Sequence, residues 1–505
     1  MGALDIVGFV STDFDPGWIA DVRFGAGRLT AGSATLICVL VGNMTSAGSM
    51  TPNSSLEPCF DQTQADALAG PGSELARMFE WAVKVAGATI YLAPVTESVG
   101  ASATCTITFA TTATSAGTWI YYVAGRLIQV PVASGDTATV QGDSFVTALA
   151  AHPEYGFTAA NVTGTVTLTW KQKGPRGNDQ ILRQDQSQKP TGTTSTIATA
   201  GTVITSNVMI RFGGGTTADD LTTVASNTFA GWLHRPALAH RDATNLAAWE
   251  TSMDAKAAWN EQHPQHTTVF FNGALAAGQS LTQTTLNNAR FNFNWALNQE
   301  NDPAELCAWF AAYRSVAEQN DPGVDYDGIE IPGAMPYFRS ADNPQRSTRV
   351  AALRTGVSPV FMNGTKMTIR RAITTRCLSG SNPDYRTLDV GTAYVPDFIR
   401  FDLGLLWLSF KVANPVIRDN PAVELPEPPS GVAWPERWNQ TIIAQLKAHE
   451  GGTTTQSRIP ILSDVDANLP TTIYVGTSGQ EHFASEIPIK PARKQHQATA
   501  IVAQL

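Results

Sequence analysis

A chain of 505 residues that is 43% hydrophobic can hold about three domains with solid cores, and its 15% of charged residues sits below the usual quarter. A net charge of −9 argues against nucleic acid as the main partner. The five cysteines, at 38, 59, 105, 307 and 377, form no CxxC pair, which excludes a disulfide framework and a cysteine zinc site.

Residues 1–22 are punctuated by Gly and Asp, carry no helix cap and read as an extended arm. The N-terminus Met-Gly-Ala-Leu-Asp-Ile has no basic n-region and no long apolar stretch, and the longest apolar run, Ala34 to Val41, is far shorter than a membrane span. Neither a signal peptide nor membrane insertion is therefore expected. Thr35–Val41 has the unbroken apolar character of a strand covered on both faces. Ser73 caps a helix presenting Leu75, Met78, Phe79 and Ala82, Gly87 is its stop, and Ile90–Leu92 is the next strand, which completes a β-α-β unit.

The pattern then changes. Ala103–Phe109 alternates small or apolar residues with Thr, the period of a half-buried strand. Gly117–Val123 and Arg126–Val132 are strands about an Ala124-Gly125 turn. Ser134–Asp136 opens a helix with Phe145, Val146 and Leu149 on its apolar face, and Thr165–Trp170 is a strand closed by Lys173–Asp179. The Thr, Ser and Gly of 190–202 mark the way out of this β-rich stretch.

Strands and helices alternate again from Val208. Strands are expected at Val208–Phe212, Thr228–Leu233 and Thr268–Phe271. A helix from Asp242 carries Leu246, Trp249, Met253 and Ala257 on one face. Another starts at Asp302, with Pro303 at its first position and Glu305 at capping-box spacing, and buries Leu306, Phe310, Tyr313 and Ala317. Such alternation implies a largely parallel sheet under helices. Beyond 355, Asn363-Gly364 suits a type I′ hairpin. Helices are expected over 393–411 and 436–449, with a Pro/Glu-rich loop at 419–433 between them. Ile473–Val475 and Phe483–Ile489 read as strands, and Ala498–Ala503 as a terminal strand without a partner in sequence. No repeat of fixed period is present.

The search for chemistry is brief. Gly25, Gly27 and Gly32 precede the first strand, where a dinucleotide loop would follow it. Gly213–Gly215 follows a strand, but no Lys-Ser/Thr comes after it and no acidic residue stands at the right offset. Asp321, Asp325, Asp327 and Glu330 fail the calcium-loop spacing and read as a solvated turn before the strand Ile329–Ile331. His234 with His240, and His263 with His266, lack HExxH or cysteine companions and read as loop or surface histidines. Lys366, Arg370, Arg371 and Arg376 form a basic patch, read as a solvated or lattice-facing strand. Cys38 and Cys307 lie inside apolar patterns, as core thiols do. No GxSxG elbow exists. No catalytic, cofactor-binding or metal residue is therefore expected, and no enzymatic activity.

Five stretches, taken in order, resemble the tail sheath proteins of Mu-like contractile-tailed bacteriophages: FGAGRLTAGSATLICVLVGNM at 24–44, GSELARMFEWAVKVAGATIYLAPV at 72–95, AGTWIYYVAGRLIQVPVASGDTA at 116–138, VTGTVTLTWKQKGPRGNDQILR at 162–183 and NPDYRTLDVGTAYVPDFIRFDL at 382–403. Residues 215–330 share only the rhythm of elements. The resemblance implies a virion protein, assembled in the host cytoplasm, that polymerises as stacked hexameric rings around a tail tube and contracts to drive the tube through the host envelope. The implied partners are copies of itself through strand exchange by the terminal arms, the tail tube protein, and baseplate and tail terminator proteins. Neither cofactor, nucleic acid nor membrane is among them. The expected architecture is an α/β core over 23–98 and 203–354, mostly parallel sheet with flanking helices. It is interrupted by an inserted β-rich domain at 99–202 and followed by a C-terminal α+β domain at 355–493, with arms at 1–22 and 494–505. By the resemblance, the inserted domain projects outward and the C-terminal domain lies inside. Two alternatives remain: the sheath of a tailocin or related contractile injection system, and a nucleotide-binding α/β enzyme built from 34–95 and 203–296.

Overall fold

The computed structural model describes residues 36–205, 208–227, 234–258, 261–421, 430–452, 460–476 and 481–492. Both arms, the glycines before 35, the strands expected at Thr228–Leu233 and Ala498–Ala503, and most of the loop 419–433 lie outside them.

Strand β1 (Ile37–Asn43) is buried along nearly its whole length, as its unbroken apolar run requires. Short β2 (Glu57–Cys59) and helix α1 (Gln62–Ala69) follow. Helix α2 (Glu74–Ala82) starts where expected, the Ser73 hydroxyl accepting from the Ala76 amide. It ends at Val83, before Gly87, which takes a positive φ of 83° in the turn beyond. β3 (Thr89–Val95) then pairs in parallel with β1.

The next strands build a separate module: β4 (Ser102–Ala110), β5 (Gly117–Val123), β6 (Arg126–Val132), β7 (Phe157–Val162), β8 (Thr165–Lys173), β9 (Ile181–Asp185), β10 (Thr194–Ala198), β11 (Val203–Thr205) and β12 (Met209–Arg211). They form a four-stranded sheet, β10-β4-β8-β7, and a five-stranded one, β11-β12-β9-β5-β6. Helix α3 (Ala138–Ala150) packs on β6 and β7. The alternation in β4 holds as expected: Ala103, Cys105, Ile107 and Phe109 face the module core and the intervening Thr face outward. Two expectations change here. Residues 190–202, expected as an exit loop, contain β10, which pairs with β4. The strand expected at Val208–Phe212 is β12, but it pairs with β9 and extends the module instead of the core sheet. Composition marks a strand; it does not choose the sheet.

After the module come α4 (Thr222–Asn227), β13 (Arg235–Leu238), α5 (Ala243–Ala257), β14 (Thr267–Phe271), α6 (Leu275–Ser280), β15 (Phe291–Trp295), α7 (Pro303–Asn320), β16 (Asp327–Glu330), α8 (Arg346–Arg354), β17 (Ser358–Asn363) and β18 (Lys366–Arg371). With β1–β3 they complete one nine-stranded sheet in the order β16-β18-β17-β15-β14-β13-β1-β3-β2. It is parallel from β17 to β3 and antiparallel at both edges. Helices α1, α2 and α7 cover one face; α4, α5 and α8 cover the other. Helix α7 is buried on nearly all sides, as a helix apolar around most of its circumference must be.

The hairpin after 355 belongs to this sheet, since β17 pairs with β15. Its turn also differs from expectation. Asn363 pairs with Lys366, so the central residues are Gly364 and Thr365. Only Gly364 takes a positive φ, 62°, the pattern of a type II′ turn. Helices α9 (Val390–Ala413) and α10 (Pro435–Glu450) then build a last core with Tyr394, Phe398, Trp438 and Ile442 at its centre. A hairpin of Thr471–Val475 and His482–Glu486 closes the described chain.

Candidate functional site: a charged joint between module and core

The residues singled out in the sequence do not converge. All five cysteines are buried and unpaired. Burial pushes the Cys59 and Cys307 thiols up to about 12, so neither is a nucleophile at neutral pH. Among the described residues no group of three His, Cys, Asp or Glu is arranged to hold a metal. The glycine run is structural. Gly213 exchanges backbone hydrogen bonds with Thr104, and the Gly215 amide donates to Asn178 Oδ1 at 2.8 Å, so two of its N–H groups are spent inside the fold. The acidic turn and the basic patch face each other across β16 and β18: Lys366 meets Glu330 at 2.7 Å and Arg370 meets Asp327 at 3.2 Å. Arg371 grips Asp389, and Arg376 lies 3.6 Å from Asp384.

The histidines correct the sequence reading. His234, His240 and His266 are buried, not on loops at the surface. Two of them sit in charge networks that spacing did not reveal.

The first network joins the module to the core. The chain crosses between them twice, at 96–101 and 213–219, and the crossings lie against each other. Ala101 donates to Thr216 Oγ1 at 3.0 Å, and a Cβ on Gly100 would strike the Thr216 carbonyl. Asp219, on the second crossing, gathers four segments. Its Oδ1 accepts from the Ser98 amide of the first crossing at 2.7 Å. Its Oδ2 accepts from Arg176 Nη1, in the module turn 175–179, at 2.8 Å, and lies 2.9 Å from His240 Nε2, just beyond β13 of the core. Arg176 also reaches Glu74 at 3.1 Å and hydrogen-bonds Asn43. Burial alone would raise the Asp219 carboxyl; the His240 hydrogen bond and Arg176 outweigh it and hold it well below the usual range.

The same joint has a second group of bridges. Asp302, at the N-cap of α7, is 2.5 Å from Arg77 Nη1, and Glu305 is 3.1 Å from it. Glu305 also receives Arg126 of β6 at 2.9 Å, and Arg126 reaches Glu80 at 2.7 Å. Arg77 lies over the Trp170 ring of β8, 4.3 Å from its centre. Arg183 of β9 bonds Glu300 at 2.9 Å. Glu305 was expected to cap its helix; it bridges two arginines instead. The apolar cores on the two sides remain separate.

The second network joins the core to α9. Glu318 of α7 takes Arg314 at 2.9 Å and Tyr326 at 3.0 Å, and pairs with Arg235 of β13. Burial raises its carboxyl, but Arg235 and Arg314 bring it down to about 2. Asp397 of α9 receives Arg290 through two nitrogens, at 2.7 and 2.9 Å, and lies 2.9 Å from His266 Nε2.

An open cleft of about 390 Å³ lies beside α5, lined by Glu250, Asp254, Asn288, Arg290, Arg376 and Arg400. Burial pushes Glu250 up to about 7. Two of its arginines are committed to the fold, Arg290 to Asp397 and Arg400 to the carbonyls of Ala257 and Ala258. What the two networks can do chemically is hold modules together. The signal for them in the sequence was weak: Glu74 and Arg77 inside the apolar pattern of α2, and Arg176 in a Gly-Pro-Arg-Gly turn.

No protein-family model matches the chain. It is 37% identical over 123 residues to the Mu-like prophage FluMu tail sheath protein of Haemophilus influenzae, a stretch that is 24% of this chain and 25% of that protein. The chain thus matches about a quarter of the length of this relative. Among solved structures, the sheath tail protein from Desulfitobacterium hafniense covers 94% of this chain and 99% of its own at 12% identity, with a TM-score of 0.43. The contracted helical sheath of the anti-feeding prophage covers 98% and 99% at 10% identity, with a TM-score of 0.44. Superpositions this loose carry no argument about the fold. No described helix is long and apolar enough to cross a membrane.

Proposed function

We propose that this protein is the structural subunit of a contractile tail sheath. The observation that carries the reading is its 37% identity over 123 residues to a Mu-like prophage tail sheath protein. The subunits stack as hexameric rings around a tail tube in the virion, meet baseplate and terminator proteins at the ends, and contract to drive the tube through the host envelope. The core, the inserted module and the C-terminal unit are the bodies that this assembly arranges, with the arms at 1–22 and 494–505 reaching neighbours. The module's strand pairing runs on to Arg211, which supports setting its exit at the crossing 213–219. A head-to-tail contact that does not close in one turn propagates as a helix, which suits such a stack. The subunit works as a mechanical part and not as an enzyme. Its buried charges support this, since most of them are committed to ties between elements.

Negative-stain microscopy of the purified protein tests the proposal. Hollow tubes with a regular axial repeat are expected. Isolated particles that bind ATP saturably would favour the nucleotide enzyme instead. The genome neighbourhood separates a phage sheath from that of a tailocin or injection system.

A further inference from the structure

The four-way joint at Asp219 contains a titratable ring of which only one nitrogen helps to hold the joint closed. His240 is 1% exposed, and its Nε2 is 2.9 Å from Asp219 Oδ2. Its other ring nitrogen, Nδ1, is buried and has no hydrogen-bond partner among the described residues. With a carboxylate at Nε2 and no partner at Nδ1, the neutral ring carries its proton on Nε2. Donors from both sides of the joint, Arg176 from the module and His240 from the core, thus share one oxygen. The charges facing His240 are Glu74 from α2, Arg176 from the module turn and Asp219 from the second crossing; its chain neighbour Arg241 is engaged with Asp179.

A second proton can enter only at Nδ1. It would add a buried cation beside Arg176 and a donor with nothing to accept it. Glu74 and Asp219 together balance the charges of Arg176 and a protonated ring, but neither carboxylate meets Nδ1, so the new donor stays unsatisfied while the joint is closed. A buried donor without an acceptor is costly, and opening the joint to water relieves that cost.

We infer that His240 is an acid-sensitive latch: when protonated, its stranded Nδ1–H can be satisfied only by water, which opens the joint at Asp219 and frees the crossings 96–101 and 213–219 to hinge the module on the core. Burial first, and Arg176 second, hold the imidazole below its ordinary range, which keeps the latch shut at neutral pH. The inference rests on the joint's geometry and is independent of whether the chain assembles into tubes.

Hydrogen exchange on the full chain, corrected for the intrinsic pH dependence of amide exchange, tests it. The opening of 96–101 and 213–219 should rise about tenfold per pH unit as pH falls below about 6.5, the slope of one proton, while α10 keeps its protection. H240Q keeps a donor toward Asp219 and cannot titrate, so it should hold the crossings closed over the same range. H266Q, in the other network, should leave the slope in place. A second measurement needs no variant: the His240 ring, followed by NMR in histidine-labelled protein, should titrate with the midpoint of the opening. A wild-type slope of zero, an H240Q protein that opens like wild type, or a ring titration detached from the opening would each overturn the latch.

Discussion

The two charge networks use the same chemistry and differ in what stands behind them. At the joint between module and core, several of the groups sit on turns, crossings and element ends: Arg176 in a turn, Asp219 on a crossing, Asp302 at an N-cap. The apolar cores they connect do not merge. At the junction with α9, Arg314 and Glu318 lie one helical turn apart in α7 and Asp397 lies within α9. Both joints set an arginine 4.3 Å over an aromatic ring, Arg77 over Trp170 and Arg235 over Tyr394, but at the second Val390 of α9 also packs into the apolar core of the sheet. The second network is thus backed by packing, whereas the first depends chiefly on its bridges. A buried bridge that is not backed by packing is where a subunit can be taken apart without unfolding its halves.

Breaking the backed network should cost most. Glu318→Ala leaves Arg235 and Arg314 buried without their carboxylate, and should lower stability by about 3–5 kcal/mol in denaturant titration. Because the group lies inside the sheet's main core, the loss should appear as weakening of the whole core.

Breaking the unbacked network should have a different shape. Glu305→Gln removes the carboxylate shared by Arg77 and Arg126 while Asp302 and Glu80 stay in place, and should cost about 2 kcal/mol. Calorimetry should then resolve a separate melting step for the module. An unsplit transition with unchanged midpoint would show that apolar contact, not charge, fastens it.

Acid should weaken the α9 junction in two windows. Burial is the main cause that lowers His266, to about 4 from an ordinary 6.5. The unfolded chain therefore takes up this proton first, and its stabilising contribution, complete above about 6.5, is lost as pH falls toward about 4. Glu318 and Asp397 are depressed carboxyls, so their contribution, complete above their ordinary values, is lost at still lower pH. Stability measured from pH 7.5 to 4 should decline by up to about 1.4 kcal/mol per pH unit for each such proton, and H266Q should flatten the upper window.

The surface pairs should matter least. Lys366 and Glu330 are both well exposed, and Lys366→Ala should change stability by no more than about 0.5 kcal/mol.

The sequence showed elements better than partners. The continuous apolar run of β1, the Ser73 cap of α2 and the Asp242 and Asp302 starts of α5 and α7 are local signals, and each element stands where those residues place it. β12 was legible as a strand, but the choice between the module sheet and the core sheet depends on pairing with β9, which lies far enough back in the chain to leave no local mark. The joint was less legible still. Asp219 is an ordinary acid in a polar stretch until folding brings Ser98, Arg176 and His240 to it across 121, 43 and 21 residues. Isolated histidines without metal spacing read as surface residues, because burial of a polar ring depends on a partner that local patterning does not contain.

Buried charge, with apolar packing behind it at α9, makes one body of module, core and C-terminal unit. Scanning calorimetry of the full chain at pH 7.5 tests it most directly. One cooperative transition is expected; two or three well-separated transitions in the unmodified protein would contradict it.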